Sequence, residues 1–161
     1  MKPLTKIMFV CHGNICRSPM AEFIFKDLIK KQGIDNDFFV SSSATSTEEI
    51  YMGVGNPVYP PAKAELLKHG IKSDGKRAVQ LKCDDYDKYD LFVGMDSANI
   101  RNMHKILQGD KSGKIRKLLS YAGEDRDVSD PWYSDRFDIA YNDILKGCQA
   151  LLKELTNGKN E

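Results

Sequence analysis

Histidine is scarce in this chain, with three in 161 residues, at 12, 69 and 104. The four cysteines, at 11, 16, 83 and 148, show none of the close pairing of a zinc site. No metal or other cofactor is therefore expected. Four scattered cysteines are also too few for a disulfide framework. Long apolar runs are missing. The run Ile7-Met8-Phe9-Val10 falls well short of a signal-peptide core of roughly seven residues or more, and of a membrane span of about twenty. The cytosol is the default expectation, without membrane attachment. An excess of either charge is lacking too, since 24 Lys plus Arg face 23 Asp plus Glu. No global field recruits nucleic acid or an anionic lipid surface. Repeats and linkers are absent, and the length suits one domain over 1–157, with a frayed tail at 158–161.

What is present is concentrated in Val10-Cys11-His12-Gly13-Asn14-Ile15-Cys16-Arg17-Ser18-Pro19. A short bulky run precedes it, too short for a helix and suited to a buried strand. Pro19 follows near a first helical turn, where its missing N–H costs nothing. A cysteine thus closes a strand, a tight loop follows, and Arg17 and Ser18 open a helix. Backbone N–H groups in such a loop converge on one point, and the helix N-terminus adds partial positive charge there. That point is an anion site, built from His12, Gly13, Asn14, Ile15, Cys16, Arg17 and Ser18. Gly13 and Asn14 are residue types that tolerate the left-handed backbone such a curl requires. Arg17 offers a planar, two-pronged grip on phosphoryl oxygens. Cys11 sits at the base, where the same field favours the thiolate, a nucleophile aimed at a bound phosphorus. Ser18 is placed to donate a hydrogen bond to the sulfur when it leaves.

The run Cys11-His12-Gly13-Asn14-Ile15-Cys16-Arg17-Ser18-Pro19-Met20-Ala21-Glu22 resembles the signature loop of the low-molecular-weight protein tyrosine phosphatases. A second motif, Asp130-Pro131-Trp132-Tyr133, lies where that family carries its general acid. The resemblance covers nearly the whole chain. It implies a four-stranded parallel sheet in the order 2-1-3-4, and hydrolysis of phosphotyrosine and small aryl phosphates through a phosphocysteine. It also implies a phosphotyrosine-bearing protein as partner, a tyrosine kinase among the candidates. The protein itself is expected to be a monomer.

Strand and helix patterns alternate along the chain, which independently argues for an open α/β sheet with helices on both faces. Helices are expected at 18–32 (Met20, Ile24 and Leu28 inward, Gly33 as stop), 60–68, after Asp96 or Ser97, and 134–155. Strands are expected at 7–10, 38–41, 91–95 and 115–118. Between them, 42–59 reads as one long polar loop, and such loops in compact domains are often functional. The anion loop falls at the carboxyl end of the first strand, the edge where open α/β sheets bind ligands.

Expelling a phenolate, whose parent pKa is about 10, calls for a proton donor. Asp125, Asp127 and Asp130 all lie in the polar stretch 122–133, and the resemblance favours Asp130 because it alone precedes Pro-Trp-Tyr. Trp132 and Tyr133 read either as an aromatic wall against the substrate ring or as packing on the last helix. The opposite wall is assigned to Glu48, Glu49 and Tyr51. Many relatives carry an aromatic residue and Asn there, although some bacterial members resemble this chain in carrying Glu-Glu. Two carboxylates beside a phosphate site would repel acidic peptides. Near Ser73-Asp74-Gly75-Lys76 the family often has a His that orders the loop Asn; here Gly75 stands instead, with Ser42 left to brace Asn14. Cys16 reads equally as a redox partner that traps oxidised Cys11 or as a small packing residue.

Two other readings use the same loop. A thioredoxin-coupled arsenate reductase needs two further cysteines downstream of the third strand, and Cys83 has no partner there. A phosphocysteine carrier or phosphoprotein-binding module has no use for the acid at Asp130.

Overall fold

The computed structural model describes residues 4–157. In chain order the elements are β1 (Thr5–Cys11), α1 (Arg17–Lys31), β2 (Phe38–Ala44), β3 (Ile50–Tyr51), β4 (Val54–Gly55), α2 (Pro60–Lys68), β5 (Leu91–Gly94), α3 (Ser97–Ile106), β6 (Ile115–Lys117), α4 (Pro131–Ser134) and α5 (Phe137–Asn157). Short 3₁₀ turns occupy Asp35–Asp37, Cys83–Asp87 and Leu118–Ala122.

Strand β1 is buried from Ile7 to Cys11, as a central parallel strand covered on both faces must be. It pairs in parallel with β2 on one side and β5 on the other, and β6 completes the order β2-β1-β5-β6. Among the strands of this sheet that is the expected 2-1-3-4. Alternation along β1 divides the core. Ile7, Phe9 and Cys11 face a cluster built with Met20, Ile24, Phe25, Ile144 and Leu151 of α1 and α5. Met8 and Val10 face the opposite way, onto Phe92, Met103 and Leu107. Each fully buried side chain of this size contributes about 1.5–3 kcal/mol. Gly147 lets α5 lie directly on the turn at Leu118, because a Cβ there would collide with the leucine side chain.

After β1 the chain crosses to one face through α1, and after β5 to the other through α3. The crevice between the carboxyl ends of β1 and β5 is therefore where connections diverge, the usual ligand position in open α/β sheets.

Three local expectations need correction. Leu28 is only partly buried, while Phe25 and Ile29 take the inward positions beside Met20 and Ile24. The stretch 42–59 contains a small hairpin, β3 with β4, turned through Met52 and Gly53 at positive φ (50° and 80°). The last helix, expected at 134–155, runs as one piece from Phe137 to Asn157, and a separate one-turn helix, α4, stands in the stretch expected as polar loop, ended by Asp135 in a left-handed conformation (φ 60°). The expected frayed tail lies outside the described residues.

Candidate active site

The loop 12–16 carries the chain from the end of β1 into α1, whose N-cap position is Cys16 with no side-chain cap. The first N–H groups of a helix have no intrahelical acceptor, so this end presents donors and positive potential to the crevice. Cys11 lies at the base, buried, with its Sγ accepting the backbone N–H of Asn14 at 3.3 Å and of Ser18 at 3.4 Å. The Ser18 hydroxyl is 3.0 Å from the same sulfur. Only Asn14 in the loop is left-handed (φ 58°). Gly13 is not, and a Cβ there would come to 3.2 Å from the Glu49 side chain, a tight contact that this side chain would have to ease. Asn14 and Ser18 are buried behind the loop rather than lining the cleft. Asn14 Nδ2 donates to Ser18 Oγ (2.7 Å) and to Ser42 Oγ (3.0 Å), the brace anticipated from the resemblance.

Arg17 is 4 % exposed and strongly held. Nη1 donates to the Val128 carbonyl at 2.9 Å, and Nη2 lies 2.9 Å from Asp96 Oδ2 and 3.5 Å from Asp130 Oδ2. Burial works against its charge, but Cys11, Asp130 and Asp96 outweigh that cost and hold the guanidinium above its ordinary value. Cys16 behaves oppositely. Burial first, then the charges of Cys11 and Asp130, push its thiol up to about 12. Cys16 is therefore kept as a thiol.

The three acids of the polar stretch part company in space. Asp127 accepts from the Ser97 backbone and side chain and pairs with Lys117 at 3.0 Å. Burial opposes its charge, yet Lys117 and Ser97 prevail and hold the carboxyl below the usual range. Asp125 is exposed at 3.8 Å from the same lysine. Asp130 alone of the three lines the cleft. It caps α4, with Oδ1 accepting from the Trp132 N–H at 3.0 Å, while Pro131 takes the first helical position. That leaves Oδ2 turned toward Arg17.

The cleft is about 410 Å³, with Cys11, Cys16 and Arg17 among the residues that line it. Trp132, Tyr133, Glu48 and Glu49 also line it, together with His12, Gly13 and Ile15. Trp132 packs on Tyr59 with centroids 4.9 Å apart, and remains 54 % exposed. Glu48 pairs with His12 at 3.0 Å. Tyr51 does not line the cleft: Ile50 packs toward the core, so the next residue of β3 points outward, 79 % exposed. Among the described residues no cluster of three or more His, Cys, Asp or Glu could hold a metal ion, and no helix is long and apolar enough to cross a membrane.

The model of the family described as low molecular weight phosphotyrosine protein phosphatase matches residues 6–161. The chain belongs to this family. It is 34% identical over 158 residues to the low molecular weight protein-tyrosine-phosphatase YfkJ of Bacillus subtilis, covering 97% of this chain and 99% of that one. Against PtpA of Staphylococcus aureus, a phosphatase named in the same way, identity is 33% over 158 residues, with 98% and 97% covered. The crystal structure of YfkJ superposes with a TM-score of 0.88 over 97% of each chain. That of SP-PTP from Streptococcus pyogenes gives 0.82 at 35% identity, covering 94% and 93%.

Three residues of this family member's site are not legible as such in the sequence. Asp96 reads as a helix cap, and it does accept from Asn99 N at 2.7 Å; its second oxygen holds Arg17. Its place just after β5, beside the ligand-binding edge, was an available signal. Tyr59 supports Trp132 from a distant position and donates its backbone N–H to the Ile15 carbonyl at 2.9 Å. Lys76, next to the Gly75 that replaces the expected histidine, reaches the polar network behind the loop.

Proposed function

We propose that this protein is a cysteine-dependent protein tyrosine phosphatase that works through a phosphocysteine intermediate. The observation that carries the reading is the convergence on one cleft of Cys11 Sγ, the Arg17 guanidinium and the Asp130 carboxyl, with Asp130 3.5 Å from Arg17. The dianion sits on the loop amides of 12–18 and the α1 N-terminus, with Arg17 across two of its oxygens. Cys11 Sγ attacks phosphorus in line, the S–P bond forms and the P–O bond to the aryl group breaks. Asp130 delivers its proton to the departing phenolate oxygen. Water then attacks phosphorus, its proton passes to Asp130, and the S–P bond breaks to release inorganic phosphate and the thiolate. Ser18 and the amides of Asn14 and Ser18 stabilise the sulfur as it leaves. Developing charge on the equatorial oxygens meets donors already in position.

Trp132, backed by Tyr59, and Tyr133 accommodate the phenyl ring, while Glu48 and Glu49 disfavour acidic flanking residues. The physiological partner in this reading is a phosphotyrosine-bearing protein, a tyrosine kinase among the candidates. The test compares hydrolysis of an aryl and an alkyl phosphate by the parent and by Cys11→Ser. Rapid aryl hydrolysis abolished by Cys11→Ser supports the reading; aryl hydrolysis that survives the substitution contradicts it.

A further inference from the structure

Behind the phosphate loop, on the side away from the cleft, runs a line of buried polar side chains: Asn14, Ser18, Ser42 and Glu22, each no more than 5 % exposed. Its hydrogen bonds have one direction. An ionised carboxylate only accepts, so the Ser42 hydroxyl donates to Glu22 Oε1, at 2.6 Å. Ser42 Oγ then accepts from Asn14 Nδ2 at 3.0 Å, and Asn14 Oδ1 accepts the Val79 N–H at 3.0 Å, which fixes how the amide is turned. Asn14 Nδ2 also donates to Ser18 Oγ, at 2.7 Å. The Ser18 proton remains, with two acceptors in reach: Cys11 Sγ at 3.0 Å and the Ser43 carbonyl at 3.5 Å. The sulfur is the nearer, and as the thiolate that the proposed nucleophile must be it takes the proton. The chain from the Glu22 carboxylate thus ends three groups away, at Ser18, as an O–H directed at the nucleophile.

Burying a carboxylate such as that of Glu22 is costly unless cations stand beside it. Two reach it. Lys26, one turn along α1 and 43% exposed, holds Oε2 at 2.6 Å. Lys76, only 11% exposed, stands 3.7 Å from Oε1 and donates to the Ser42 carbonyl at 2.9 Å. It therefore touches both the acid and the backbone of the residue that carries the first proton. Burial draws the Lys76 ammonium below its ordinary value; Glu22 and Cys11 favour its charge and Lys26 opposes it.

We propose that Lys76, outside the phosphate loop, is a positioning residue: with Glu22 it holds the chain Glu22–Ser42–Asn14–Ser18 in the direction that donates to Cys11 Sγ. The inference rests on Cys11 as the nucleophile. It requires Lys76 to act on the reactivity of the sulfur rather than on substrate binding.

The experiment follows iodoacetamide alkylation of Cys11 by peptide mapping, together with kcat and KM for p-nitrophenyl phosphate, in the parent, Lys76→Met, Lys76→Arg and Cys11→Ser. Lys76→Met should slow alkylation on the acid side of neutrality, and lower kcat, each by about threefold to tenfold, the equivalent of up to one unit in a thiol titration. KM should stay within about twofold, since the loop amides and Arg17 are untouched. Lys76→Arg should restore most of both rates. Parent-like alkylation in Lys76→Met overturns the proposal, whatever happens to the melting temperature. If Lys76→Met does not fold because Glu22 is left with Lys26 alone, Lys76→Met with Glu22→Gln removes both charges and should show the same alkylation deficit; parent-like alkylation there overturns it equally. Hydrolysis that survives Cys11→Ser is a different failure, and removes the nucleophile reading on which the inference rests.

Discussion

Asp96→Asn separates the two tasks of one carboxylate. Oδ1 caps α3 through the Asn99 N–H at 2.7 Å, and Oδ2 holds Arg17 Nη2 at 2.9 Å. Asparagine can keep the cap with its carbonyl oxygen, but then turns an N–H toward a guanidinium that needs an acceptor. With Arg17 4% and Asp96 19% exposed, the lost interaction is a hydrogen bond between charged groups in a poorly screened place, worth about 1.5–3 kcal/mol. Asp96→Ala loses the cap as well, about 1 kcal/mol more. Denaturant unfolding of the two variants measures that difference. The functional consequence is separate: Arg17 keeps only the Val128 carbonyl and the longer approach to Asp130, so its two-pronged grip on phosphate is no longer preset. Inhibition by inorganic phosphate should weaken by about tenfold in both variants, equivalent to ~1.4 kcal/mol. Unchanged phosphate inhibition in Asp96→Asn, alongside lower stability, would refute the anchoring role and leave Asp96 as a cap. Tighter inhibition would mean that its charge repels the dianion more than it orders Arg17.

Asp130→Ala should cut kcat on aryl phosphates by about 10²–10³ and remove the alkaline limb of a bell-shaped rate profile; Asp127→Ala, which breaks contacts to Lys117 and Ser97, should cost stability instead, and the reverse pattern would reassign the acid. Glu48→Gln with Glu49→Gln should raise kcat/KM several-fold for peptides with acidic residues beside phosphotyrosine, relative to a small aryl phosphate, and less so at high salt, because exposed pairs are worth about 0.2–1 kcal/mol each. An equal response of both substrates would place the specificity wall elsewhere. Mild peroxide should inactivate reversibly: Cys11 thiolate is oxidised to the sulfenic acid, and the Cys16 thiol condenses with it, releasing water and forming a disulfide. Since burial and Cys11 push Cys16 up to about 12, alkylation near neutrality should map to Cys11 rather than Cys16. Equal recovery by reductant in the parent and Cys16→Ser would leave Cys16 as packing.

The anion loop at the sheet edge was legible because its signals are local: an apolar run, a helix start, and residue types suited to a tight turn in between; the sheet order came from the family resemblance, since strand pairing is not a local property. The hairpin at Ile50–Gly55 was not legible, since two-residue strands carry too little alternation to register and arise from a turn at Met52 and Gly53. The one-turn α4 was missed for a related reason: four residues are too few to show a helical period. Within the site, Cys11, Arg17 and Asp130 announce themselves through neighbours in sequence. Lys76 does not. It is one of 24 cations, and its significance comes from Glu22 and Ser42, more than thirty positions away, meeting it in the interior. Tyr51 failed in the other direction, since an aromatic in the right loop was turned outward by the two-residue period of its strand.

The central claim, that the reaction passes through phosphate bound to Cys11, is tested by mixing the parent with an aryl phosphate, quenching in acid within a turnover, and mapping the modified peptide. One phosphoryl group on Cys11, absent in Cys11→Ser and lost on longer incubation as inorganic phosphate appears, is the predicted result. A burst of phenol with no phosphopeptide, or a phosphoryl group on any other residue, would contradict it.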